Sequence, residues 1–194
     1  MQKIETTNNS INETERIRVV SIFPNVCTHA SAIEQIAGLV KKNNGGYVCF
    51  STVHMVMESF DNAEFAAKVN GADLVIPDGM PLVWMQKLQG AKNATRVRAN
   101  DLMMMLCGYA EKNKLSVGFY GGRQEVVDAI LRRAEKDFPD LRVAYAYSPP
   151  FRALTAGEDT SLTAEINKLK PDILFIILKL AESRVYMRQI NQHG

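Results

Sequence analysis

Residues 115–131, Leu115-Ser116-Val117-Gly118-Phe119-Tyr120-Gly121-Gly122-Arg123-Gln124-Glu125-Val126-Val127-Asp128-Ala129-Ile130-Leu131, decide the fold class. The first part is a β-branched and aromatic run that ends on two glycines. The second places Val126, Val127, Ile130 and Leu131 on one face at helical spacing, and Phe138-Pro139 closes it. A strand that turns through glycines straight into an amphipathic helix is the building unit of a parallel α/β sheet.

The same alternation extends in both directions. Upstream, strand-like runs at residues 17–23, 47–51 and 73–76 are separated by helical stretches: one carries Ile33, Ile36, Ala37 and Val40 behind a cap at Thr28 or Ser31. Another runs through Met55, Val56 and Phe60, and a third spans 62–69 before Asn70-Gly71. Pro77-Asp78-Gly79 breaks the run at 73–76 before an apolar helix over 80–88, and Asn100 is placed to cap the helix that carries Leu102, Met103 and Leu106. Downstream, a strand over 141–147 ends in the rigid turn Ser148-Pro149-Pro150-Phe151, followed by a helix over 160–169, a continuous apolar strand over 172–178 and a helix over 182–192. The absence of alternation in Ile173-Leu174-Phe175-Ile176-Ile177-Leu178 predicts a strand buried on both faces. The expected fold is therefore α/β, a single Rossmann-like domain with a mainly parallel sheet flanked by helices.

A chain of 194 residues fits one domain. We expect a flexible polar tail over 1–15 and one core domain over 16–194. No apolar run approaches the roughly 18–20 residues that cross a bilayer, and no apolar secretion signal opens the chain, so a cytoplasmic protein is expected. With 23 Lys and Arg against 21 Asp and Glu, the net charge of +2 argues against a nucleic-acid partner. The three cysteines, Cys27, Cys49 and Cys107, are odd in number and widely spaced. They predict small reduced core residues rather than a disulfide framework or metal site.

Three strand ends carry the candidate chemistry: Ser51-Thr52, Pro77-Asp78-Gly79 and Tyr120-Gly121-Gly122. Open α/β sheets keep their ligands at such ends. Glycines there let backbone N–H groups approach a phosphate, although Gly121-Gly122 lacks both GxGxxG spacing and a P-loop lysine, so a plain tight turn is an equal reading. Asp78 is either an exposed, ionised carboxylate at a helix start or simply that helix's N-cap. Arg96 and Arg98 flank Val97 and offer forked contacts to a diphosphate, with surface solvation as the alternative. His29, His54 and His193 have no metal-ligand spacing. Met103-Met104-Met105 reads as core filler.

These blocks, taken in order, resemble the WecG/TagA/CpsF glycosyltransferases. The carriers are Ser51-Thr52-Val53-His54, similar to a Thr-x-Asn signature; Ile76-Pro77-Asp78-Gly79-Met80-Pro81-Leu82-Val83-Trp84; Arg96-Val97-Arg98-Ala99-Asn100-Asp101-Leu102-Met103; Phe119-Tyr120-Gly121-Gly122; and then Ser148-Pro149-Pro150-Phe151 and Pro171-Asp172-Ile173-Leu174. The resemblance implies inverting transfer of N-acetylmannosamine or a related sugar from a UDP donor to an undecaprenyl-diphosphate-linked acceptor, in bacterial surface polysaccharide or teichoic acid synthesis. It implies no metal and no cofactor beyond the UDP-sugar substrate. Asp78 would be the base that deprotonates the acceptor hydroxyl, Thr52 would position sugar or acceptor, and Arg96 would offset charge on the departing UDP. Gly121 and Gly122 would lie against the nucleotide. His54, Gly79, Asn100, Asp101, Tyr120, Ser148 and Pro149 complete the implied substrate-binding set.

Three departures stand out. His54 replaces the family's usual Asn, and Ala99 its usual Gly. After Leu178 the family's Gly-x-Pro-Lys-Gln-Glu is absent, and the chain reads Lys179-Leu180-Ala181-Glu182-Ser183-Arg184-Val185. The chain also stops before the Arg- and aromatic-rich extension of similar proteins, so membrane association at the inner face of the cytoplasmic membrane is expected only of a longer form. A second reading follows, a catalytically silent nucleotide-sugar-binding module or a truncated remnant, with self-association left open. A Rossmann oxidoreductase is disfavoured by the missing dinucleotide fingerprint.

Overall fold

The computed structural model describes residues 15–42, 45–150, 152 and 154–177. Residues 1–14 of the expected tail over 1–15, Phe151, the end of the last strand at Leu178 and the helix over 182–192 lie outside them. The chain is α/β, and it divides into two compact units, one ending at Arg98 and the other beginning at Ala99. All strand pairing within named strands is parallel, as expected, with one sheet in each unit.

In the first unit the order is α1 (His29–Lys42), β1 (Val48–Ser51), α2 (Val53–Asp61), α3 (Ala63–Asn70), β2 (Leu74–Pro77) and α4 (Met80–Leu88). Thr28 and Ser31 start α1 together: the Ser31 N–H donates to Thr28 Oγ1 and the Thr28 N–H to Ser31 Oγ. Asn62 caps α3 through its side chain, which accepts from the Phe65 N–H at 3.0 Å. β1 and β2 pair from Val48 opposite Leu74 to Ser51 opposite Pro77, so both strands end at the same level. Every residue of β2 is buried, consistent with its unbroken apolar run.

The expected strand over 17–23 does not form. Val19 and Ile22 face each other across a tight turn in which Val20 takes φ 58°. The polar groups of this stretch find other partners. Asn70 accepts from the Phe23 N–H and donates to the Ser21 carbonyl, while Arg16 donates to the carbonyls of Asn70, Ala72 and Asp73 just past α3. The strand-like exchange next to β2 falls instead to buried Asn25, which donates its N–H to the Val75 carbonyl and accepts the Val75 N–H on Oδ1. Gln86 of α4, fully buried, donates to the carbonyls of Pro24 and Asn25 and fastens this segment in place.

The second unit runs α5 (Ala99–Lys112), β3 (Ser116–Gly121), α6 (Gln124–Asp137), β4 (Arg142–Tyr147), α7 (Ala156–Leu169) and β5 (Ile173–Ile177), with strand order β4-β3-β5. β3 is central and wholly buried. One face carries Val117 and Phe119, against which Ile173, Phe175 and Ile177 of β5 pack, with Phe119 and Phe175 stacked at 5.4 Å. The other face carries Tyr120, with Tyr145, Leu162 and Leu174. β5 therefore uses both faces for packing, which accounts for its lack of alternation. It is only half-buried, however, and Ile176 is exposed, because β3 is its single partner among the described strands.

Two helix starts differ from expectation. α5 begins at Ala99, so Asn100 lies inside its first turn rather than capping it. α7 begins at Ala156, ahead of residue 160, because Thr155 and Glu158 close a reciprocal capping box. Within the methionine run, Met103 packs on the β3 core while Met105 is exposed. All three cysteines are free and buried. No described helix is long and apolar enough to cross a membrane.

Candidate functional site

In the first unit the strand ends of β1 and β2 bring Ser51, Thr52, Asp78, Gly79 and Arg96 together. Pairing of the two strands sets the frame, and the Asp78 N–H extends it by donating to the Ser51 carbonyl at 2.9 Å. The Val97 N–H then donates to the Pro77 carbonyl at 3.1 Å, drawing the 96–98 segment alongside. Arg96 Nε reaches the Asp78 carbonyl at 3.2 Å, and Nη2 lies 3.4 Å from Asp78 Oδ1. The Arg96 side chain is 41% exposed and that of Asp78 19%, so the pair is open to an arriving ligand.

Gly79, not Asp78, occupies the N-cap position of α4. The capping alternative for Asp78 therefore does not hold in its simple form: its carboxylate precedes the helix and faces a cation. Thr52 occupies the N-cap of α2 in an extended conformation, yet its side chain makes no capping bond and its buried Oγ1 has no hydrogen-bond partner among the described residues. Ser51 Oγ is in the same condition. The two helix starts adjoin, since a Cβ on Gly79 would stand 3.9 Å from the Val53 nitrogen. Two helix N-termini without side-chain caps, two buried hydroxyls and an Arg–Asp pair thus share one strand-end edge. Buried hydroxyls normally have partners, so unpaired ones at such an edge suit a ligand's polar atoms, and helix N-termini favour negative charge. His54 follows in the first turn of α2 with its side chain exposed.

The remaining candidates lie in the second unit. Gly121 ends β3 at φ 102°, and Gly122 follows at φ 73°, the left-handed region that glycine enters without strain. Gly121 is also forced by packing, for a Cβ there would collide with the Ile177 carbonyl of β5. Gly122 has no such neighbour: its nearest contact would be Ile177 Cγ2 at 3.5 Å. Ser148 donates to the Gly122 carbonyl at 2.8 Å, joining the end of β4 to the glycine turn, and Pro149 follows half-buried. Tyr120 stacks on Tyr147 with ring centroids 6.3 Å apart. Tyr120, Gly121, Gly122 and Ser148 therefore form one cluster, while Asn100 and Asp101 sit on a different element, the first turn of α5.

Ser51 is the residue most easily passed over in the sequence as a mere strand end. Its signal is a hydroxyl closing an otherwise apolar strand, Val48-Cys49-Phe50-Ser51, at a level where the neighbouring strand gives way to Asp78. Burial pushes the thiols of Cys27 and Cys49 up to about 12 and that of Cys107 up to about 11. None of them is an activated nucleophile. Among the described residues no group of three or more His, Cys, Asp or Glu side chains is placed to hold a metal ion.

Comparison with known proteins bears on this arrangement. The chain is 27% identical over 137 residues to an N-acetylglucosaminyldiphosphoundecaprenol N-acetyl-beta-D-mannosaminyltransferase of Bacillus spizizenii W23, covering 71% of this chain and 51% of the relative. It is 24% identical over 110 residues to a protein of the same description from Bacillus subtilis strain 168, covering 57% of this chain and 41% of the relative. The chain thus spans about half the length of the curated relatives it matches. The model of the glycosyl transferase WecG/TagA/CpsF family matches residues 17–192, which includes every candidate residue named above. The chain belongs to the WecG/TagA/CpsF family of glycosyl transferases.

Proposed function

We propose that this protein transfers N-acetylmannosamine or a related sugar from a UDP donor to an undecaprenyl-diphosphate-linked acceptor, with inversion at the anomeric carbon. The observation that carries the reading is Asp78: a carboxylate just past a buried strand, ahead of an uncapped helix and beside an exposed guanidinium. The names of both relatives describe the same class of sugar and acceptor.

In this mechanism the acceptor hydroxyl attacks the anomeric carbon from the face opposite the diphosphate. Asp78 takes the hydroxyl proton as the new glycosidic bond forms, a role for a carboxylate within hydrogen-bond reach. The bond from the sugar to the diphosphate breaks, and UDP leaves with its electron pair. Arg96 and the starts of α2 and α4 offset the charge that collects on the leaving group. Thr52 Oγ1, which has no hydrogen-bond partner among the described residues, orients a hydroxyl of sugar or acceptor. No metal step enters this scheme. Action on a lipid-linked acceptor would bring a longer form of the protein to the inner face of the cytoplasmic membrane.

A second reading, a nucleotide-sugar-binding module without turnover, is favoured by one feature: Lys179-Leu180-Ala181-Glu182-Ser183-Arg184-Val185 stands where the family pattern expects Lys-Gln-Glu. Calorimetric titration with UDP and UDP-N-acetylmannosamine, with UDP-N-acetylglucosamine and NAD as comparators, tests the donor site that both readings require, and turnover with the lipid-linked acceptor separates them. Uridine-selective binding supports the donor assignment. Binding of NAD in preference to UDP, or of neither, refutes it.

A further inference from the structure

We propose that the exposed apolar faces of α2 and α4 seat the polyprenyl chain of the acceptor, giving that hydrocarbon a track that starts at the candidate site. The inference rests on the functional reading above and adds to it a place for the part of the acceptor that takes no part in the chemistry.

The first unit gathers its exposed large apolar side chains in one place. Among the described residues, each of them stands on α2, on α4 or on the tight turn over 18–23, and none on α1 or α3. On α2, Val53, Met57 and Phe60 follow one another at helical spacing, and on α4 Met80, Trp84 and Leu88 do the same. Phe60 is 65% exposed, Trp84 57% and Leu88 82%, so these are surface groups rather than the margin of a core. The turn reaches both helices: Ser21 Oγ donates to the Val56 carbonyl of α2, and Gln89 at the end of α4 donates to the Arg18 carbonyl. Over its whole length α4 carries one ionisable residue, Lys87. A continuous apolar surface of this kind marks a site for an apolar partner.

The position of the face selects its occupant. Both stripes begin at the candidate site, since Val53 directly follows Thr52, Met80 directly follows Gly79, and a Cβ on Gly79 would stand 3.9 Å from the Val53 nitrogen. From there they run along two helices of nine residues each, about 13 Å. An acceptor whose sugar hydroxyl reaches Asp78 must leave its hydrocarbon chain near the same edge, and each apolar side chain that the hydrocarbon covers removes both from water. Leu, Phe and Trp offer broad apolar contact, and the methionines adapt to a flexible chain. A second copy of the protein is the competing occupant. Seated on Val53 and Met80, it would stand against the edge that has to admit the acceptor.

Trp84 is the chain's only tryptophan and reports on this face directly. Farnesyl diphosphate and inorganic pyrophosphate are titrated separately into the full chain by calorimetry, and Trp84 emission is followed with farnesyl diphosphate and with phosphatidylcholine vesicles. Farnesyl diphosphate is expected to move the emission to shorter wavelength and to bind at least about tenfold more tightly than pyrophosphate. Phe60→Gln and Leu88→Gln alter exposed residues away from Asp78 and Arg96, so both should fold, which far-ultraviolet circular dichroism verifies. Each should weaken farnesyl diphosphate about three- to tenfold and leave pyrophosphate unchanged. Leu169→Gln, at an exposed apolar residue of α7, should change neither. Equal affinity for the two diphosphates, a farnesyl preference that survives both substitutions, or an emission that does not move overturns the proposal. Emission that shifts with protein concentration alone assigns the face to a second copy and overturns it too. An equal shift with vesicles assigns it to a bilayer surface, with the same consequence. UDP titrated in parallel separates the two readings: UDP-selective binding without the farnesyl preference keeps the donor and removes the track, whereas the farnesyl preference without UDP binding keeps the track and removes the donor. Absence of both overturns both.

Discussion

A Cβ placed on Gly121 would stand 3.0 Å from the carbonyl carbon of Ile177 and closer still to its oxygen. The end of β3 and the end of β5 approach so nearly that only glycine fits, and the φ of 102° there adds a backbone preference of the same sign. Gly121→Ala is expected to destabilise the protein by about 2–4 kcal/mol, from strain together with displacement of β5. Gly122→Ala, which meets only ordinary contacts, should cost about 1–2 kcal/mol from its positive φ alone. Urea denaturation of the two variants checks the order, and equal losses would contradict it.

The thiols provide a second check. Cys27, Cys49 and Cys107 are buried and carry pKa values pushed up to about 12, about 12 and about 11 by that burial. At pH 8 fewer than about one thiol in a thousand is ionised at such sites. Labelling with a disulfide reagent in native buffer should therefore proceed slowly at all three, and rapidly with three equivalents in denaturant. One thiol reacting in the native state at the rate of a free cysteine would contradict the packing.

Acid sensitivity follows from two carboxylates in the second unit. Glu158 is held at about 2, below its ordinary 4.5, first by the Arg152 guanidinium, which donates at 2.6 and 2.7 Å, and then by Thr155. Asp172 is lowered first by the Ser116 hydroxyl, then by the Ser116 N–H, both at 2.6 Å. A carboxylate whose pKa falls on folding contributes stability that is present above its unfolded value and is lost as pH falls through the folded one. For Glu158 that window runs from about 4.5 down to about 2. Thermal melts of the unaltered chain and Glu158→Gln should differ by a small margin at pH 6 and converge over this interval. A difference that grows as pH falls would contradict the assignment.

Much of the fold was legible because strand and helix signals are local. Val126, Val127, Ile130 and Leu131 announce α6, and Pro77-Asp78-Gly79 announces the passage from β2 to α4. The failures are non-local or concern caps. Residues 17–23 have strand composition, but Asn70 and Arg16, remote in sequence, decide where their backbone groups bond. Thr155-Ala156-Gly157-Glu158 is a readable capping box that the nearby prolines and Gly157 obscure. At the candidate site Asp78, Thr52 and Arg96 were identifiable singly. Their arrangement was not, because Arg96 meets Asp78 across 18 residues, and which of Asp78 and Gly79 caps α4 depends on backbone angles.

The central claim is that Asp78 accepts the acceptor's proton during sugar transfer. Its most direct test is the steady-state rate of disaccharide-lipid formation from UDP-N-acetylmannosamine and undecaprenyl-diphosphate-linked N-acetylglucosamine, measured for the unaltered protein and for Asp78→Asn. Loss of a general base predicts a fall in kcat of about 10²–10⁴-fold with UDP bound no more weakly than by the unaltered protein. Transfer by Asp78→Asn at the unaltered rate would contradict the account.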